Sequence, residues 1–135
     1  MLSEQKMIPN QKNMSEQPEM LDKALEIGSL LDNKKDSNTV VLDMRGMNIW
    51  TDFIVISTVV SSGQLKGVVR RLKEYLKENS IHIMNSHKQT ADDGWELIDC
   101  GSIVVNLMSK EKREFYDLER LWFAGNLVYG STPER

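Results

Sequence analysis

Asp43, Asp52 and Asp99 lie at or near the ends of apolar runs. Three carboxylates gathered at strand ends could hold Mg²⁺ for phosphoryl transfer. Beside them stand the two histidines, His82 and His87, and the lone Cys100. The histidines are five residues apart; on an extended strand they point to opposite faces and cannot share one metal ion. A single cysteine has no intrachain partner, and a thiol in an apolar strand is expected to pack as a small hydrophobe.

Motifs that would put such groups to work are missing. The chain contains no G-x-x-x-x-G-K-[ST] phosphate loop, no G-x-G-x-x-G, no H-E-x-x-H and no G-x-S-x-G. Nucleotidyl transfer calls for a Gly-Ser turn ahead of two carboxylates one residue apart; the Ser61-Ser62-Gly63 turn has no such pair behind it. No catalytic residue, metal site or cofactor is therefore assigned, and a metal-dependent, nucleotidyltransferase-like enzyme using Asp43, Asp52 and Asp99 is the alternative reading. A dimeric scaffold is a third.

Chemistry suited to binding is better represented. Trp95, Leu97 and Asp99 alternate along one strand, placing an indole and a carboxylate on one face. The next strand offers Asn106 and Met108. Downstream, FYDLERLW (Phe115–Trp122) is dense in rings, which are enriched where interfaces bury apolar area yet keep a polar handle. On a continuous helix Phe115, Leu118 and Trp122 share one face and should pack on the sheet, with Glu119 at its margin and Tyr116 further round.

Charge is unevenly spread over the 135 residues, whose net value is -3. Residues 66–78 hold five basic and two acidic side chains, whereas residues 92–119 hold eight acidic and three basic. The acidic region favours a basic protein partner over phosphate. Lys66, Arg70, Lys73 and Lys77 form a stripe on one helix, either a solvated edge or a face turned to RNA. No run reaches the roughly 18–20 apolar residues that span a bilayer, and no secretory signal opens the chain, so a cytoplasmic protein is expected.

These residues must be held by a small α/β domain. Residues 1–17 read as a flexible tail, 18–124 as the domain and 125–135 as a short C-terminal tail. A helix is expected from Pro18, with Met20, Ala24, Ile27 and Leu31 on one face. Strands follow at 39–45 and 52–60, the second apolar throughout as if buried on both sides. Ser61 and Gln64 form a capping box for a helix with Leu65, Val68, Val69, Leu72 and Leu76 inward. Residues 81–88 alternate like an edge strand, 95–100 and 102–108 form a hairpin at Gly101, and Ser109 caps a last helix. Five strands with helices around them predict a mixed sheet with one parallel pair.

VLDMRG (Val41–Gly46), TDFIVIST (Thr51–Thr58), SSGQLKGV (Ser61–Val68), GWELIDCGSIVVNLM (Gly94–Met108) and REFYDLERLW (Arg113–Trp122) together resemble the bacterial ribosomal silencing factors, the Iojap family. The resemblance implies a mixed α/β sheet akin to the nucleotidyltransferase fold without its catalysis. It also implies a non-enzymatic factor that binds the fourteenth protein of the large ribosomal subunit, blocks joining of the small subunit and represses translation when nutrients are scarce. Peripheral contact with ribosomal RNA and a homodimer off the ribosome are further implications. Carried over by position, the partner surface comprises Trp95, Asp99, Asn106, Met108, Tyr116 and Glu119. Asn106 stands where the family usually has His, and Gly63 where it has Arg after paired serines. The first loses a titratable charge, the second a possible anion contact.

Overall fold

The computed structural model describes residues 9–47, 49–88, 94–121 and 125–130. The elements in chain order are α1 (Pro9–Leu31), β1 (Val40–Asp43), β2 (Phe53–Thr58), α2 (Ser62–Glu78), β3 (Asn85–Lys88), β4 (Trp95–Asp99), β5 (Ile103–Met108), α3 (Lys110–Tyr116), α4 (Leu118–Leu121) and β6 (Asn126–Tyr129). The strands form one sheet in the order β3-β4-β5-β2-β1-β6. It is the mixed, helix-flanked sheet expected, with β6 added to the five strands read from the sequence.

Among the described residues the single parallel pairing joins β2 to β5, from Phe53 opposite Ile103 to Thr58 opposite Met108. Both strands are buried along their whole length, as central strands covered on two faces must be. The parallel partner is thus not the strand that directly follows α2. The chain leaves α2 for the sheet edge, runs β3 and β4 antiparallel, and only then inserts β5 beside β2. On the other side β1 pairs antiparallel with β2, and β6 with β1.

One sheet face carries the main core. Ala24, Ile27 and Leu31 of α1 and Val68, Leu72 and Leu76 of α2 pack over Val41, Phe53, Val55, Ile98, Ile103, Val105 and Leu107. The opposite face holds a smaller cluster of Val40, Leu42, Met44, Ile54, Ile56, Met108 and Leu118, against which Ile49 and Trp95 rest.

Several boundaries differ from expectation. α1 begins at Pro9, not Pro18, so residues 9–17 are helical. That stretch contains no glycine and no β-branched residue, and a proline suits the first helical position. Residues 126–129, read as tail, form β6. β3 covers only 85–88, because Ile81 and Ile83 pack against the main core instead of pairing in the sheet. The α2 cap holds: Ser61 Oγ accepts from Gln64 N at 3.0 Å, although the Gln64 side chain accepts from Val60 N, one residue before the cap.

Candidate docking surface

The β4–β5 hairpin sets the register that sequence left open: Trp95 faces Met108, and Leu97 faces Asn106. Trp95 Nε1 donates to Asn106 Oδ1 at 3.1 Å, which fixes the indole plane and satisfies its only donor. Gly94, just before it, has φ +69, and a Cβ there would lie 3.0 Å from the side chain of Ser109. Its carbonyl accepts from Ser109 N at 2.7 Å. Only a residue without a side chain lets the start of β4 approach the α3 cap this closely.

That approach brings two elements' rings together. Trp95 and Tyr116 have centroids 4.8 Å apart, and Phe115 meets Tyr116 edge-on at 4.9 Å. Such pairs add roughly 0.5–1.5 kcal/mol beyond area burial. Tyr116 remains 43 % exposed and Phe115 79 % exposed. The three rings form an open aromatic ridge.

Phe115 therefore is not the core residue expected from the helical wheel. Asp117 has φ 52, in the left-handed region, and ends α3 there, its N–H donating to Arg113 O at 2.9 Å. The chain restarts as α4, so Phe115 and Leu118 no longer share a face. Leu118 is buried and Phe115 is not. Trp122, expected to pack beside them, lies outside the described residues.

Beneath the ridge sits a polar knot that sequence reasoning missed. Arg113 is buried, with Nε and NH2 donating to Glu119 Oε2 at 2.9 and 2.6 Å. Its NH1 donates to Thr58 Oγ1 at 2.8 Å and to the Ser37 carbonyl at 3.3 Å. One guanidinium thus ties α3 to α4, to the end of β2 and to the turn before β1. The signal in the sequence was a lone arginine six residues before a glutamate, a spacing that joins side chains only because the helix breaks between them.

The six surface candidates separate accordingly. Trp95 and Tyr116 belong to the ridge. Met108 is fully buried, Asn106 is 4 % exposed and Glu119 is 6 % exposed, so these three hold the ridge from below and do not present themselves to a partner. Asp99 lies at the far end of β4, where Oδ1 accepts from Gly101 N at 2.8 Å in the hairpin turn. Burial, with the Asp99 charge adding to it, pushes the neighbouring Cys100 thiol up to about 11, which keeps it protonated and unreactive. Lys66, Arg70, Lys73 and Lys77 are exposed along α2, which packs on the main core face.

The three aspartates of the enzymatic alternative are not gathered. Asp43 binds Arg45 through both carboxylate oxygens, at 2.9 and 2.7 Å, and Asp99 is engaged in its turn. Among the described residues no three His, Cys, Asp or Glu side chains group to hold a metal ion. His82 is exposed, and the His87 side chain lies outside the described ones.

A family profile described as "Ribosomal silencing factor during starvation" matches residues 16–134. The chain is 34 % identical over 94 residues to ribosomal silencing factor RsfS of Halalkalibacterium halodurans, covering 68 % of this chain and 78 % of that one. It is 32 % identical over 92 residues to RsfS of Bacillus subtilis, covering 67 % and 76 %. A crystal structure of a Bacillus halodurans protein matches with a TM-score of 0.63 at 31 % identity, over 80 % of this chain and 98 % of that one. A Chromobacterium violaceum protein matches with a TM-score of 0.64 at 26 % identity, over 82 % and 90 %. With the hairpin, the ridge helix and the profile coinciding along most of its length, this chain belongs to the family of ribosomal silencing factors.

Proposed function

We propose that this protein docks on a basic protein of the large ribosomal subunit, the fourteenth, and by its bulk keeps the small subunit from joining. It thereby lowers translation under nutrient limitation, acting in the cytoplasm without catalysis, and it pairs with a second copy when off the ribosome. The observation that carries this reading is the ridge of half-buried Trp95 with the exposed rings of Tyr116 and Phe115. Rings left open on a rigid base, rather than folded into the core, are what an interface anchor requires. In the sequence, residues 92–119 hold eight acidic and three basic side chains, a balance that favours a basic partner. A standard interface buries about 1,600 Å² in total, within reach of a 15.5 kDa domain.

Co-sedimentation with purified large subunits tests the reading. Tyr116→Ala and Phe115→Ala should each weaken association by about thirtyfold, corresponding to roughly 2 kcal/mol at an anchor. The unaltered protein should also shift a sucrose-gradient profile toward separate subunits. Unchanged sedimentation of both variants would remove the ridge from the interface. Failure of the unaltered protein to bind would remove the function.

A further inference from the structure

Between α2 and the start of β4 lies a groove of about 620 Å³. Leu65 and Val69, one helical turn apart and half-buried, line it from α2, and half-buried Trp95 lines it from β4. Lys66, Arg70, Lys73 and Lys77 also line it. Their spacing of i, i+4, i+7 and i+11 sets them in one row along α2, about 16 Å long. All four are exposed, and none forms an ion pair with a described residue. An uncovered apolar strip thus runs beside a row of cations.

This combination restricts the occupant. Four cations repel a basic protein, so the partner proposed for the ridge does not fill the groove. A nucleic-acid backbone satisfies the cations but gains nothing from Leu65 and Val69, whose aliphatic side chains are no platform for stacked bases. It would also meet the exposed carboxylate of Glu74, which lines the groove as well. We propose that the groove docks an acidic amphipathic helix from a second protein partner. Apolar side chains on one face of that helix rest on Leu65, Val69 and Trp95, and carboxylates on the adjoining face meet the basic row. Both helices repeat every 3.6 residues or so, so the two pairs of rows stay in step along about three turns. The volume suits the entry of a few side chains, within the range of about 300–1,000 Å³ common for pockets, while the partner's backbone stays outside.

Fluorescence anisotropy of the full chain with a labelled, alanine-based peptide of about 15 residues tests the assignment. The peptide carries leucines four residues apart on one face and glutamates along the next. Saturable, one-to-one binding is expected. Exchanging its glutamates for glutamine, or its leucines for alanine, should each weaken binding by about tenfold or more. The exposed pair Arg70→Glu with Lys73→Glu should weaken it likewise, with thermal melting confirming that the variant folds. A peptide with lysines in place of the glutamates should bind that variant better than it binds the unaltered protein. No saturable binding at about 1 mM peptide, a leucine-free peptide that binds as tightly, or no recovery with the lysine peptide would each overturn the proposal. Tighter binding of a single-stranded oligoribonucleotide than of the peptide would give the groove to RNA instead. A double variant that is monomeric where the unaltered protein is a dimer would give it to a second copy. The double variant should still co-sediment with large subunits; loss of that association would assign the row to the ribosome and overturn the second partner.

Discussion

At the residue scale the decisive group is Arg113. Its guanidinium is buried and bonded to Glu119, Thr58 and Ser37, so it orients the helix that carries Tyr116 and Phe115 while touching no partner itself. Removing one member of a buried pair strands the other charge away from water. Arg113→Ala should therefore destabilise the fold by about 3–5 kcal/mol in chemical denaturation. The paired change Arg113→Met with Glu119→Leu should cost far less, because no isolated charge remains. If the double variant keeps its stability but loses subunit binding, the knot serves to position the ridge; if it keeps both, the knot is a stability element only. At the helical margin Glu119 must find a donor or stay at the boundary with water, and it finds Arg113. Its burial depends on a turn that periodicity does not reveal.

At the element scale, β6 and the α3–α4 break reshape the domain. β6 closes the sheet edge beside β1, and Tyr129 Oη donates to Asp32 Oδ2 at 3.0 Å, tying the strand to the end of α1. Gly130 ends it with φ +82, and a Cβ there would lie 2.1 Å from the Thr39 carbonyl oxygen. Backbone cannot yield as a flexible side chain can. Gly130→Ala should thus lift the C-terminal strand from β1, seen as faster amide exchange at Val41 and Leu42 and a stability loss of more than about 1 kcal/mol. Protection of β1 as in the unaltered protein would mean that β6 contributes little to the edge. The short helices explain why the aromatic segment is a surface: a left-handed Asp117 rotates Phe115 away from the sheet while letting Leu118 turn in.

At the scale of the whole molecule, electrostatics divides into a local and a long-range part. Burial alone would raise the Asp43 carboxyl, but the Arg45 side-chain and backbone hydrogen bonds and its charge outweigh this and hold it below its ordinary value of 3.8. A depressed folded value means that the pair's contribution is complete above that ordinary value and is lost as pH falls through the folded one. Melting temperature should consequently drop on acidification below about pH 4, and Asp43→Asn should flatten that part of the profile while lowering stability at neutral pH. At long range, the acidic balance of residues 92–119 in the sequence should speed encounter with a basic partner. The association rate should fall as salt rises from 0.05 to about 0.3 M, with dissociation changing much less. A salt-independent rate would show that contact, not steering, governs the encounter.

Local and periodic features were legible in the chain itself. The all-apolar β2, the Ser61 and Ser109 caps, the amphipathic α2 and the hairpin at Gly101 follow from short-range rules, in which each residue's role depends on neighbours within a turn or a strand pair. The Trp95 hairpin and the aromatic segment were recognisable from residue types, and so was the family. Tertiary structure decided what those residues do. Whether Phe115 packs or projects depends on one left-handed residue. Whether Glu119 faces a partner or Arg113 depends on contacts reaching back to Thr58 and Ser37. Met108 and Asn106 lie under the ridge because β5 sits at the sheet centre beside β2, an adjacency between segments some fifty residues apart. Side-chain exposure is set by what the rest of the fold brings alongside, and sequence spacing carries little information about that.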